Sequence, residues 1–307
     1  KENPNNMTER PAALITHPVP LNTPRQRFSD YACAVFNLIP SRKGIKKLIK
    51  QGAFLIDGAE ASTGTWVQPG QVIELFETGT SRIKEYRTEL QVVYEDQFLA
   101  VVSKPAGMAV NGNRFKTLQN ALPFNLVPSE EPDALFRPMP VHRLDAVTSG
   151  LVVAAKCRRA QVSLGQQFET REVIKRYRAV VHGMITDSGL ITSILDGREA
   201  VTEYSPVRCA RSIKNGYISL VDLFPQTGRM HQLRRHMAGC GHPVAGDLLY
   251  GVKGDVYRGK GLFLAAVELR FTHPVTGEAV NVTVDDPHKF ESFMQREERR
   301  WQRIHGL

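Results

Sequence analysis

The sequence is short of cysteine, of acidic residues and of long apolar runs, and each shortage excludes something. Its four cysteines (Cys33, Cys157, Cys209, Cys240) stand far apart in 307 residues with no Cys-x-x-Cys pair. That argues against a disulfide scaffold and for free thiols in a reducing compartment, so a cytoplasmic protein is expected. No uninterrupted apolar run approaches membrane-spanning length, and Lys1 to Met7 lack the apolar core of a secretory signal. Neither a phosphate-cradling Gly-Lys-Ser/Thr loop nor a strand-coupled dinucleotide fingerprint occurs, so no nucleotide cofactor is expected. His231, His236, Cys240 and His242 lie close together, but their spacing fits no zinc pattern and no carboxylate completes the set. A structural role or a contact to a partner suits them better than a metal, and none is expected.

What the chain has instead is positive charge. Lys and Arg total 40 against 31 acidic residues, a formal charge of +9. Such a balance suits a polyanionic partner, of which nucleic acid is the commonest. The length allows a main core plus a smaller module.

Residues 1–26 are rich in Pro and Asn with little periodicity and predict an extended arm. Phe28, Tyr31, Ala32, Val35 and Phe36 then recur at helical spacing, and Pro40 is expected to end that helix. Ser41 predicts the N-cap of a second helix that stops at Gly52. Ile45, Leu48 and Ile49 give it an apolar face, while Arg42, Lys43, Lys46, Lys47 and Lys50 occupy the rest. Five cations in nine residues repel one another unless a polyanion meets them, although a solvated basic face reads the same from charge alone. Phe54-Leu55-Ile56, an Asp57-Gly58 turn, and Pro69-Gly70 before Val72-Ile73-Glu74-Leu75 predict small strands. Residues 27–77 so arranged resemble the S-four-type (alpha-L) RNA-binding domain, and the resemblance implies phosphate contacts from the five cations.

Residues 78–89 read as a linker, and a larger domain is expected over 90–289, with a C-terminal helix over 290–307. The larger domain centres on His142-Arg143-Leu144-Asp145-Ala146-Val147-Thr148-Ser149-Gly150, a loop feeding the apolar strand Leu151 to Ala155. Around it stand Lys104-Pro105-Ala106-Gly107, Lys175-Arg176-Tyr177-Arg178-Ala179-Val180-Val181-His182-Gly183, and Thr227-Gly228-Arg229-Met230-His231-Gln232. Gly246 to Gly251 and Thr272 to Glu278 follow, with an Asn215-Gly216 hairpin turn between. Phe290, Phe293, Met294, Trp301 and Ile304 form a closing stripe expected to dock on the core.

These motifs, in this order, resemble the RluA-type pseudouridine synthases, whose signature is HRLD-x-x-TSG. The resemblance implies an α+β catalytic domain built on a mixed, largely antiparallel bent sheet with flanking helices. It implies that Asp145 is the catalytic aspartate, that Arg229 pairs with it, and that Tyr177 contacts the target base. Arg143 matches the arginine that fills the gap left by a flipped nucleotide, and His142, Thr148, His231 and Gln232 are expected at the substrate. Met230 stands where the family has threonine. The implied reaction isomerises a uridine within RNA to pseudouridine without a cofactor, in a monomer acting on ribosomal RNA or on tRNA. An inactive RNA-binding or ribosome-assembly factor on the same scaffold is the alternative; a glycosidic hydrolase lacks its second catalytic carboxylate.

Overall fold

A computed structural model describes residues 13, 15–36, 41–76, 85–251 and 259–306. Pro40, the first half of the expected arm and most of the expected linker lie outside them. The chain divides into two compact units, Lys1–Lys84 with Asp133–Phe136, and Glu85–Pro132 with Arg137–Leu307.

The first unit contains β1 (Ile15–Pro18), β2 (Gln26–Arg27), α1 (Phe28–Val35), α2 (Arg42–Lys50), β3 (Phe54–Ile56), β4 (Ala59–Glu60), β5 (Trp66–Val67) and β6 (Val72–Leu75). Residues 15–18, expected in an extended arm, are a sheet strand: β1 pairs antiparallel with β6, from Ile15 opposite Leu75 to Pro18 opposite Val72. Pro is tolerated there because β1 is an edge strand. Phe28, Tyr31, Ala32 and Phe36 are buried with Ile45, Ile49 and Phe54, as the helical spacing predicts. Ser41 Oγ accepts from the Gly44 amide at 3.1 Å and so caps α2, while Gly52, at φ 69°, turns the chain out of it. All five cations of α2 are exposed. Arg42 is nonetheless paired, with Asp30 of α1.

The second unit contains β7 (Gln91–Glu95), β8 (Leu99–Lys104), α3 (Leu118–Asn125), β9 (Ala134–Pro140, which begins in the first unit), β10 (Ser149–Cys157), α4 (Arg158–Glu169), β11 (Ile174–His182), β12 (Gly189–Leu195), β13 (Arg198–Ser212), β14 (Gly216–Pro225), α5 (Gln232–Gly239), β15 (Leu264–Thr272), β16 (Ala279–Thr283) and α6 (His288–His305). Its sheet runs β12-β13-β14-β11-β15-β10-β8-β7, with β16 added on β15. Only the β10–β15 contact along this path is parallel. This is the mixed, largely antiparallel α+β architecture that the motifs imply.

Within β10, Leu151 to Ala155 are an unbroken apolar run because the strand lies mid-sheet and both its faces are buried. One core joins β11, β14 and β15 to Leu233 and Met237 of α5 and to Phe290, Phe293 and Met294 of α6. Each of these large side chains contributes about 1.5–3 kcal/mol on burial. The stripe on α6 docks only in part, since Ile304 is 64% exposed. A second core joins β8 and β10 to Leu118 and Leu122 of α3 and to Leu144 of the motif loop. The chain leading into it is also fastened to α3, through Tyr86 N to Asn120 O and Leu90 N to Asn125 Oδ1, both 2.8 Å.

Candidate active site

Gly150 explains why the motif loop ends where it does. At φ 111° it lets β10 meet β15 so closely that a Cβ would lie 2.1 Å from the Ala266 carbonyl oxygen. No side chain fits, and the glycine thereby sets where the preceding loop stands. Lys104 fixes the loop from the other side. Its fully buried ammonium donates to the carbonyls of Met108 (2.8 Å), Pro105 (3.0 Å) and Ala146 (3.3 Å), and Gly107 N donates to the same Ala146 oxygen at 2.7 Å. Burial pushes this lysine down to about 8, with the negative charge of Asp145 opposing the shift. The Lys-Pro-Ala-Gly turn is thus a clamp on the backbone beside Asp145.

Asp145 opens into a cleft of about 610 Å³. His142, Arg143, Thr148, Tyr177, Arg229, His231 and Gln232 all line it, so the structure brings together every residue of the large domain expected at the substrate. The five cations of α2 belong to the first unit.

The aspartate's partner is not the expected one. Arg234 Nη1 lies 3.4 Å from Asp145 Oδ2, whereas Arg229 directs its Nε to the Glu199 carbonyl at 2.9 Å. Arg229 precedes α5 and follows the chain toward β13, while Arg234, inside the first turns of α5, is anchored from behind. Its Nε and Nη2 make a two-point contact with the fully buried carboxylate of Asp247, both at 2.7 Å. Asp247 also accepts from the amides of Leu249 and Tyr250. Burial alone would raise its pKa, but these donors hold it below the usual carboxylate range, and the same pairing raises that of Arg234.

His231 Nε2 stands 3.8 Å from Asp145 Oδ1 and its Nδ1 meets Tyr250 Oη at 2.9 Å. The residue is held left-handed, at φ 53°, just before α5. Such backbone strain in a non-glycine residue concentrates at working sites. Tyr177 comes up from β11, packed against both cores. Burial, and next the charge of Asp145, push its phenol well above the ordinary tyrosine range. It therefore presents a neutral ring and hydroxyl to the cleft.

Two expected substrate contacts have other work. His142 Nε2 accepts from the Val153 amide at 3.0 Å and its ring stacks on Phe168, centroids 4.3 Å apart. Burial, aided by Lys175, pushes it down to about 3, so it is a neutral strut between loop and strand. The buried Gln232 spends its whole amide internally: Oε1 accepts from Thr227 Oγ1 and the Arg229 amide, and Nε2 donates to Val201 O and Thr202 Oγ1. Arg143 is exposed at the cleft, Met230 is 63% exposed, and Thr148 is buried in the wall.

Arg234, Asp247, Tyr250 and Lys104 carry the site's electrostatics, yet sequence reasoning assigned them no role. A signal existed for Arg234: it falls among Leu233, His236 and Met237, on the side of α5 that is buried.

A carboxylate anchored by a buried arginine, in the same positively lined cleft as an aromatic ring, is the equipment of an enzyme acting on a base in nucleic acid. The family model described as RNA pseudouridylate synthase matches residues 98–239. The chain is 32% identical to the ribosomal large subunit pseudouridine synthase D of Xanthomonas campestris, over 90% of each chain. It is 34% identical to the tRNA pseudouridine synthase C of Pectobacterium carotovorum, over 64% of this chain and 58% of that one. The solved structure of human RNA pseudouridylate synthase domain containing 1 matches with a TM-score of 0.54 and 29% identity, over 65% of this chain and 84% of that one. The chain belongs to the RNA pseudouridylate synthase family, in its RluA-type branch, and is an RNA pseudouridine synthase.

Proposed function

We propose that this synthase acts in the cytoplasm, as a monomer, on a uridine of large-subunit ribosomal RNA, and that it reaches that uridine by flipping it out of the stack. The ribosomal reading is supported by a relative of that name matched over nine-tenths of both chains, against 58% of the tRNA-directed relative. The exposed basic helix α2 suits a large structured RNA. Flipping costs a few kcal/mol and is required because the target atoms are inaccessible inside a helix. Arg143, planar, charged and exposed at the cleft, is suited to fill the vacated stack.

The observation that carries the mechanism is Asp145 between Arg234 and His231, in the same cleft as Tyr177. Arg234 keeps the carboxylate ionised and aimed. Asp145 then acts on the nucleotide as nucleophile or base while the N1–C1′ bond breaks. The uracil turns on the Tyr177 ring, C5 bonds to C1′, and the C5 proton is lost as N1 gains one. Arg229, on the same wall, contacts the RNA rather than the aspartate. No second carboxylate and no bound group takes part in this scheme.

Replacing Asp145 by Asn tests it. Tritium release from RNA carrying 5-tritiated uridine should vanish while RNA affinity stays within a few-fold. Substantial turnover by the Asn protein would sink the assignment. Pseudouridine mapping in a deletion strain identifies the uridine, and a site lost from tRNA instead would overturn the ribosomal reading.

A further inference from the structure

Three cations flank Tyr177 on β11, and they are treated differently. Arg176 and Arg178 each reach Asp222, and each has a second carboxylate: Arg176 Nε lies 2.7 Å from Glu268 and Arg178 Nη1 lies 3.2 Å from Asp286. Lys175, like Tyr177, lines the catalytic cleft instead. This is the alternation of a strand, two residues to one face and two to the other. The cleft-facing cation is the one with no carboxylate or carbonyl partner among the described residues, although it is partly buried. Its charged neighbour is Arg171, a second cation lining the same cleft, and burial followed by that repulsion lowers its pKa. An unpaired ammonium held out of water beside another cation is costly unless an anion arrives.

Arg171 carries a further cost. It follows α4 at φ 66°, and the Glu172 amide reaches back to Gln167 O at 2.9 Å. That is a Schellman closure, whose left-handed position is usually glycine. Arg171 also has no ion-pair partner within the described residues, although Glu169 lines the same cleft.

We propose that Lys175, with Arg171 beside it, forms a phosphate site: the two cations take the phosphodiester next to the nucleotide whose base lies on Tyr177. This rests on the flipped-uridine reading above. Strand spacing sets Lys175 about 6.6 Å along β11 from Tyr177, so one nucleotide can span base platform and anion site.

The probe is a synthetic RNA stem-loop containing the mapped uridine, made with the natural backbone and with a neutral methylphosphonate at either flanking position. Affinity is measured on the Asp145→Asn protein, turnover on the wild type. One methylphosphonate should weaken binding about tenfold or more, as should Lys175→Met on the natural RNA. Together they should weaken it no further than either alone, and Lys175→Arg should restore the difference. Lys175→Met should also flatten the log–log salt dependence by about 0.7. Its melting temperature should equal or exceed that of the wild type, as should that of Arg171→Gly, which should nevertheless bind the RNA less tightly. Losses that multiply at both flanking positions, or a fall in melting temperature on Lys175→Met, would overturn the phosphate site. Failure of the wild type to convert the natural stem-loop would overturn the flipped-uridine reading and this proposal with it.

Discussion

Arg234 stands between two carboxylates, gripping Asp247 at 2.7 Å through two nitrogens and reaching Asp145 at 3.4 Å through a third. Asp247 is its anchor and Asp145 its object. Arg234→Ala should therefore cost about 3–5 kcal/mol, because it strands a fully buried charge. Arg234→Ala combined with Asp247→Asn should recover much of that stability without recovering activity. Urea denaturation of the two single variants and the double decides it, and additive losses would show that the pair is not coupled. Arg229→Ala, which removes a contact to a backbone carbonyl, should cost no more than about 1.5 kcal/mol.

Gly150→Ala should destabilise by at least about 3 kcal/mol, since it combines a forbidden backbone region with an overlap against the Ala266 backbone. The damage should appear in activity as well, because the residue sets how the loop carrying Asp145 enters β10. Thermal unfolding and tritium release on the same preparation check both. A stable, active Ala protein would mean that β10 and β15 can separate without disturbing the loop.

His142 predicts a pH dependence. Its folded-state pKa, near 3, lies below the unfolded value of about 6.5. The unfolded chain thus takes up the proton first as pH falls, so the contribution is complete above pH 6.5 and is lost progressively toward pH 3. Between pH 7 and pH 5 this amounts to about 2 kcal/mol. His142→Gln keeps an acceptor for the Val153 amide but does not titrate, so its stability should fall less over that interval. Parallel slopes for the two proteins in urea titrations would place the group's ionisation elsewhere.

The basic helix α2 predicts a salt effect. Replacing Lys43, Lys46 and Lys50 with Ala should weaken binding to full-length ribosomal RNA and flatten its log–log salt dependence by up to about two units. Arg42 is excluded from the set because Asp30 already neutralises it. Turnover of a saturating minimal stem-loop should hardly change. An unchanged slope on the long RNA would make this helix an ordinary solvated face.

The sequence by itself determined what is local. Helical spacing gave α1 its buried side, Ser41 and Gly52 bounded α2, and Asn215-Gly216 turned the β13–β14 hairpin, each through interactions a few residues long. The motifs likewise marked Asp145 and Tyr177, which line one cleft. Tertiary structure decided the pairings. Asp145 and Arg234 are 89 positions apart, and helical spacing, which places Arg234 on the buried side of α5, does not say what it meets there. The choice follows from the turn of α5 and from Asp247 waiting behind it. His142 and Gln232 read as substrate contacts because they belong to motifs that the resemblance places at the substrate. They became struts because Val153, Val201 and Thr202 arrive from other strands to use their hydrogen-bonding capacity. Lys175 shows the same division. Its side of β11 follows from alternation, but that Arg176 and Arg178 find carboxylates while it finds none depends on where β14, β15 and Asp286 are brought by the fold. Charge acts through space, and only the folded chain sets those distances.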